Sequence, residues 1–139
     1  MRRKMNEIDF NKLFNDSYEY IQNHSDEFYD CFYQHFIGSS PKIGIKFTGV
    51  NLENQKLMLQ QAISHTIGFF VTKTASPYLL NIAKQHQNLG VSDEMYELFM
   101  TSLIFTLEKQ YPHYTAECGL AWRIFISPAL ELMKHINDV

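Results

Sequence analysis

This sequence is short of the features that mark most redox, metal and membrane proteins. Its two cysteines, Cys31 and Cys118, lie far apart and form neither a CxxC nor a CxxCH pattern, so no redox motif or covalent cofactor attachment is indicated. Both read as buried free thiols. No stretch reaches the roughly 18 to 20 apolar residues that span a bilayer. The basic cluster Met1-Arg2-Arg3-Lys4 runs into MNEIDF rather than an apolar segment, which excludes a secretory signal and a twin-arginine leader. A net charge of −3 and a pI near 6.0 give no bulk electrostatic case for nucleic acid or an anionic membrane. There is no strand-like alternation, no repeat and no low-complexity tract, and the histidines show no H-x-x-x-H spacing. The expectation is one soluble, cytoplasmic, all-α domain over residues 1–139.

What the chain does have is aromatic side chains, 14% of the total, with eleven Phe and eight Tyr beside a single Trp. In an all-helical domain that implies either an unusually aromatic core or a large apolar pocket. Residues 7–23 carry Ile8, Phe10, Leu13, Phe14, Tyr18 and Ile21 at near-helical spacing. Ser25-Asp26-Glu27 opens a second helix to about Ile37, with Phe28, Phe32 and Phe36 on one stripe and Tyr29, Tyr33 and Phe36 on the next. Gly38-Ser39-Ser40-Pro41 breaks it, and PKIGIKF follows, ending at Phe47. Asn51 starts a helix whose Gln55, Leu59, Ala62, Ile63 and Thr66 share a face. A helix from Ser92 to about Gln110 aligns Tyr96, Phe99, Met100, Leu103 and Leu107. Thr115 caps a last helix with Leu120, Ala121, Ile124 and Phe125 facing inward, Trp122 as a core anchor and a kink at Pro128.

The segment Ser76 to Tyr96 is the centre of the chain. Leu79, Ile82, Ala83 and His86 fall three and four apart, so a helix opening after Ser76 with Pro77 in its first turn puts an imidazole on an apolar stripe. Gly90 stops that helix, because glycine takes the left-handed backbone without steric cost. Ser92-Asp93-Glu94 starts the next as cap and first-turn acids. A histidine presented this way is either a core residue hydrogen-bonded to a neighbour or a ligand for a planar, apolar group with a metal at its centre. Gln55, one turn before Leu59, is the second odd polar placement; its plain reading is a helix-start glutamine at the solvent boundary. His24, His35, His65, His113 and His135 read as surface or incidental.

In order and spacing, these pieces resemble the single-domain bacterial globins and the haem domains of flavohaemoglobins, over roughly residues 25 to 136. The fragments are FYQHF at 32–36, SSPKIGIKF ending in Phe47, Q-x-x-M-L from Gln55 to Leu59, H-x-x-x-G-V from His86 to Val91, Tyr96 and Ala121-Trp122. The resemblance implies a globin fold packed around haem b, with His86 as the proximal iron ligand and Phe47 stacked on the haem. Ile82 and Leu59 would line the pocket. Tyr33 and Gln55 match the distal tyrosine and glutamine that hydrogen-bond the gas, and Tyr96 matches a proximal-side tyrosine. That tyrosine's glutamate partner in flavohaemoglobins has no counterpart here, where the chain end reads KHINDV and Glu131 stands almost two turns early. Lys84 is near enough in sequence to pair with a haem propionate or simply to be exposed.

The implied function is reversible binding of oxygen or another diatomic gas (NO, CO), as in oxygen transport. Nitric oxide dioxygenase chemistry would follow if a separate reductase supplied electrons. A hydroxyl or amide donor in a low-dielectric pocket would stabilise the partly negative gas by roughly 1 to 3 kcal/mol. The competing reading is a gas- or redox-sensing or haem-free interaction domain acting through a partner protein, although nothing in the sequence after the last helix resembles a transmitter. A helical bundle with no ligand is the third.

Overall fold

The computed structural model describes residues 7–136, and within them the chain forms seven α-helices and no strand. They are α1 (Phe10–Asn23), α2 (Ser25–Gly38), α3 (Pro41–Lys46), α4 (Leu52–Thr72), α5 (Pro77–Asn88), α6 (Asp93–Gln110) and α7 (Ala116–Lys134). The basic cluster Met1 to Lys4 lies outside the described residues. Helix starts follow the expected chemistry at six places, where the side chains of Asp9, Ser40, Asn51, Ser76, Ser92 and Thr115 accept a hydrogen bond from a first-turn amide. The start of α2 differs. His24 holds the N-cap position, but its side chain meets the Tyr20 carbonyl at 2.8 Å and caps no amide of α2; Ser25 is already helical, so one non-helical residue separates α1 from α2.

The floor of the molecule is built by α1, α4 and α7. Phe14 of α1 stacks on Phe125 at 4.1 Å and lies 4.7 Å from Trp122, and Phe70 of α4 stacks on Phe125 from the other side at 4.3 Å. Trp122 is fully buried, and its indole N–H donates to Ser17 Oγ at 2.8 Å, which satisfies the one polar atom a buried indole carries. The expectation for α7 is corrected in part. Ala121 and Phe125 are buried, but Leu120 and Ile124 are 47% and 37% exposed. The inward stripe runs instead through Cys118, Trp122, Phe125, Ile126, Ala129 and Met133, because the bulk of Trp122 sets the rotation of the helix. Pro128 sits inside α7 without ending it; the carbonyl that loses its donor belongs to the partly exposed Ile124.

Against this floor, α2 packs on α6 through Phe32 and Phe36, which meet Phe99 at 5.3 and 5.9 Å. Helix α5 lies against α4 and α7. Its lower end is fastened by His65, whose Nδ1 lies 2.8 Å from Ser76 Oγ, and Tyr78 stacks on the same imidazole at 4.4 Å. His35 Nδ1 likewise meets Ser102 Oγ at 2.8 Å between α2 and α6. His35 and His65 are therefore interhelical fasteners rather than incidental surface residues. Cys118 is buried and Cys31 half-buried, and both are free thiols.

Candidate functional site

The corner between α5 and α6 places His86. Gly90 takes φ +73°, the left-handed conformation that ends α5, and Val91 N–H then reaches back to the His86 carbonyl at 3.0 Å. Ser92 caps α6 by accepting from Met95 N–H, so the first turn of α6 comes up beside the last turn of α5. The outcome is a pairing of Tyr96 Oη with His86 Nδ1 at 3.3 Å. The other ring nitrogen, Nε2, has no hydrogen-bond partner among the described residues. Burial holds the His86 imidazole below its ordinary pKa, so the ring is neutral near pH 7. In the tautomer that donates Nδ1–H to the phenol oxygen, Nε2 keeps a free lone pair, as a metal requires; in the other, the phenol donates to Nδ1 and Nε2 carries the proton. Tyr96 is pushed up to about 12, first by burial and then by the charge of Asp93, so its phenol stays protonated.

The second group of residues comes from α2, α3 and the start of α4. Tyr33 is buried, and its ring meets Phe47 edge-on at 5.7 Å. Its hydroxyl donates to the main-chain carbonyl of Gln55 at 3.1 Å, not to the glutamine side chain. The half-buried Gln55 amide makes no hydrogen bond to a described residue. Phe47, Leu59, Ile82 and Val91 are each half-buried while packing on the core, so they offer apolar surface that helices alone do not cover. Among the described residues no hydrogen bond joins the Tyr33 and His86 groups. Aromatic contacts link them: Phe47 to Phe36 at 5.9 Å and Phe36 to Phe99 at 5.9 Å, with Phe99 one turn beyond Tyr96.

A globin family model matches residues 31–131, most of the chain. The chain belongs to the globin family. Its fold is also similar to the crystal structure of protein PA3967 of Pseudomonas aeruginosa PAO1, itself described as structurally highly homologous to a human haemoglobin. The TM-score is 0.82 at 25% sequence identity, covering 91% of this chain and 96% of that one. No curated protein matches this globin.

Globins normally hold haem through one histidine, and the residues present here fit such a group. A neutral imidazole with an unshared Nε2 lies beside half-buried apolar side chains, and no described cluster of three or more acidic, histidine or cysteine side chains offers a competing metal site. Among the described residues no carboxylate hydrogen-bonds the Tyr96 phenol. Glu131 is engaged by Lys134 at 3.1 Å and by His135, and Lys134 also bonds Glu97 at 2.5 Å. Lys84 is exposed.

Sequence reasoning passed over Lys46. Its ammonium donates to the Leu89 carbonyl at 2.5 Å, tying the end of α3 to the end of α5 beside Phe47. A cation at a helix C-terminus is favourable, but only the three-dimensional approach of residues 43 apart reveals the contact.

Proposed function

We propose that this globin holds haem b with His86 as the iron's protein ligand and reversibly binds oxygen or another diatomic gas. The observation that carries this reading is the His86 ring itself: neutral through burial, paired at Nδ1 with Tyr96, and with no partner at Nε2 among the described residues. Haem, when bound, supplies an iron with one coordination position open to the gas. Phe47, Leu59 and Ile82, half-buried and apolar, would hold such a group and exclude water from it. Tyr96 orients the imidazole and holds its tautomer. Because no carboxylate among the described residues hydrogen-bonds the phenol, the ring receives a weaker electron-donating push than a bonded carboxylate would give. That favours reversible gas binding over peroxidase-like chemistry. Tyr33 and Gln55 set how long the gas stays. The Gln55 amide is free to turn to it, and the Tyr33 hydroxyl can turn once it releases the Gln55 carbonyl. The resemblance to flavohaemoglobin haem domains supports nitric oxide detoxification in the cytoplasm as an extension, with electrons from a separate reductase.

Reconstitution with hemin, followed by desalting and absorption spectra in the oxidised, reduced and carbon monoxide states, tests the proposal. Wild-type protein is expected to retain a Soret band that shifts under carbon monoxide, and His86→Ala to lose it or change its coordination. Colourless wild-type protein, or a His86→Ala spectrum identical to wild type, would overturn the assignment.

A further inference from the structure

Away from His86, the surface holds a pocket of about 380 Å³ where the end of α1 and the start of α2 face the middle of α4. Tyr18 and Gln22 come from α1, Tyr29 from α2, and Gln60, Gln61 and Ser64 from α4. Among the described residues, the hydrogen bond and the ion pair that join α4 to α2 both lie near the start of α4: Tyr33 on the Gln55 carbonyl, and Lys56 with Asp30. Beyond that point the two backbones do not pack closely, and Tyr29, one turn before Tyr33, stands in the opening. Tyr29 is only 3% exposed, yet its hydroxyl makes no hydrogen bond to any described residue. Because no fully enclosed polar atom lacks a partner, what this side chain exposes is its hydroxyl edge, and the space it borders is this pocket. An unpartnered phenol in a pocket wall is a group whose hydrogen bond is left for a ligand to complete.

We infer that this pocket binds a small neutral polyol about the size of a monosaccharide. Not one of the side chains lining it is charged, so an anion or a cation would find no counter-ion. A wholly apolar molecule would leave the Tyr29 hydroxyl and the Gln60 amide without partners, whereas Gln61 already accepts from the Tyr78 hydroxyl. Amides that donate and accept, hydroxyls that do both, and the edges of two tyrosine rings match a molecule with several hydroxyls on an apolar ring. The volume lies at the small end of ligand pockets and suits one ring rather than a chain. Through the single helical turn between Tyr29 and Tyr33, an occupied pocket would bear on the hydroxyl that bonds the Gln55 carbonyl.

The full-length protein, with D-glucose as the probe at millimolar concentration, is tested by saturation-transfer NMR and by backbone amide shifts. Transfer to the glucose ring protons is expected, with shifts centred on Tyr29, Gln60 and Ser64. Tyr29→Phe, which removes one oxygen and keeps the ring, is expected to weaken the dissociation constant about fivefold. If Tyr29→Phe melts early, Gln60→Leu on the opposite wall carries the same expectation. Absence of transfer to glucose overturns the inference, as does equal transfer to wild type and both variants. So does a pocket whose amides respond to sodium phosphate and not to glucose.

Discussion

The two sides of this globin's candidate site are built differently. The His86 side is assembled from one continuous stretch, in which Ser76, Gly90 and Ser92 set a helix, a corner and a second helix, and the Tyr96–His86 contact follows from them. The Tyr33 side is assembled from three helices, and its central contact joins a side chain to a main-chain carbonyl 22 residues away. A site made by local rules holds its geometry as long as its corner holds. A site made by tertiary contact depends on how helices settle, and its donors can be diverted to the backbone, as the Tyr33 proton is.

The largest expected effect tests whether the two sides share a floor. Trp122→Ala removes the buried indole that meets Phe14 and bonds Ser17, and should cost about 3 to 5 kcal/mol in denaturant unfolding. Both sides should lose order together, read as simultaneous loss of amide protection in α2 and α5. Next, Tyr33→Phe combined with Gln55→Leu acts on one side alone. Gas dissociation measured by stopped flow should quicken by roughly five to a hundredfold while haem retention is unchanged, which corresponds to about 1 to 3 kcal/mol of donor stabilisation. An unchanged rate would mean that the Tyr33 hydroxyl remains on the Gln55 carbonyl and that neither residue reaches the gas.

Gly90→Ala acts on the other side alone. A side chain at φ +73° should cost about 1 to 2 kcal/mol and lower the thermal midpoint, although the nearest atom to an added Cβ, Lys46 Nζ at 3.8 Å, leaves room for it. The loss should centre on the α5–α6 corner.

How far each side was legible follows from the same difference. Caps and a glycine stop are written in neighbouring residues, so the helix of His86 and its corner could be read directly from the sequence. The aromatic spacing also located α2 and α6 as buried helices. The rotation of α7 was not legible: Leu120 and Ile124 are as apolar as the residues that face inward, and only the fit of Trp122 against Phe14 and Ser17 decides between the two stripes. The fastening roles of His35 and His65, and the Lys46 contact with the Leu89 carbonyl, join residues far apart in sequence. A pattern of single residues carries no sign of them.

The smallest effects are pH-dependent. Below the ordinary imidazole range, near 6.5, the unfolded chain takes up a proton that the folded His86 refuses, so the stability of the haem-free protein should fall as pH falls through that window. His86→Gln should flatten this slope. At the alkaline end the folded Tyr96 keeps its proton from about pH 10 to about 12, where the unfolded chain loses it, so stability should fall again as pH rises, and Tyr96→Phe should reduce that loss.

The most direct test of the central claim is the low-frequency resonance Raman spectrum of the ferrous, hemin-reconstituted protein. The account predicts an iron–imidazole stretching band in wild type, its loss in His86→Gly, and its return when free imidazole is added to that variant. A band that survives His86→Gly without added imidazole would show that another side chain holds the iron, and would contradict it.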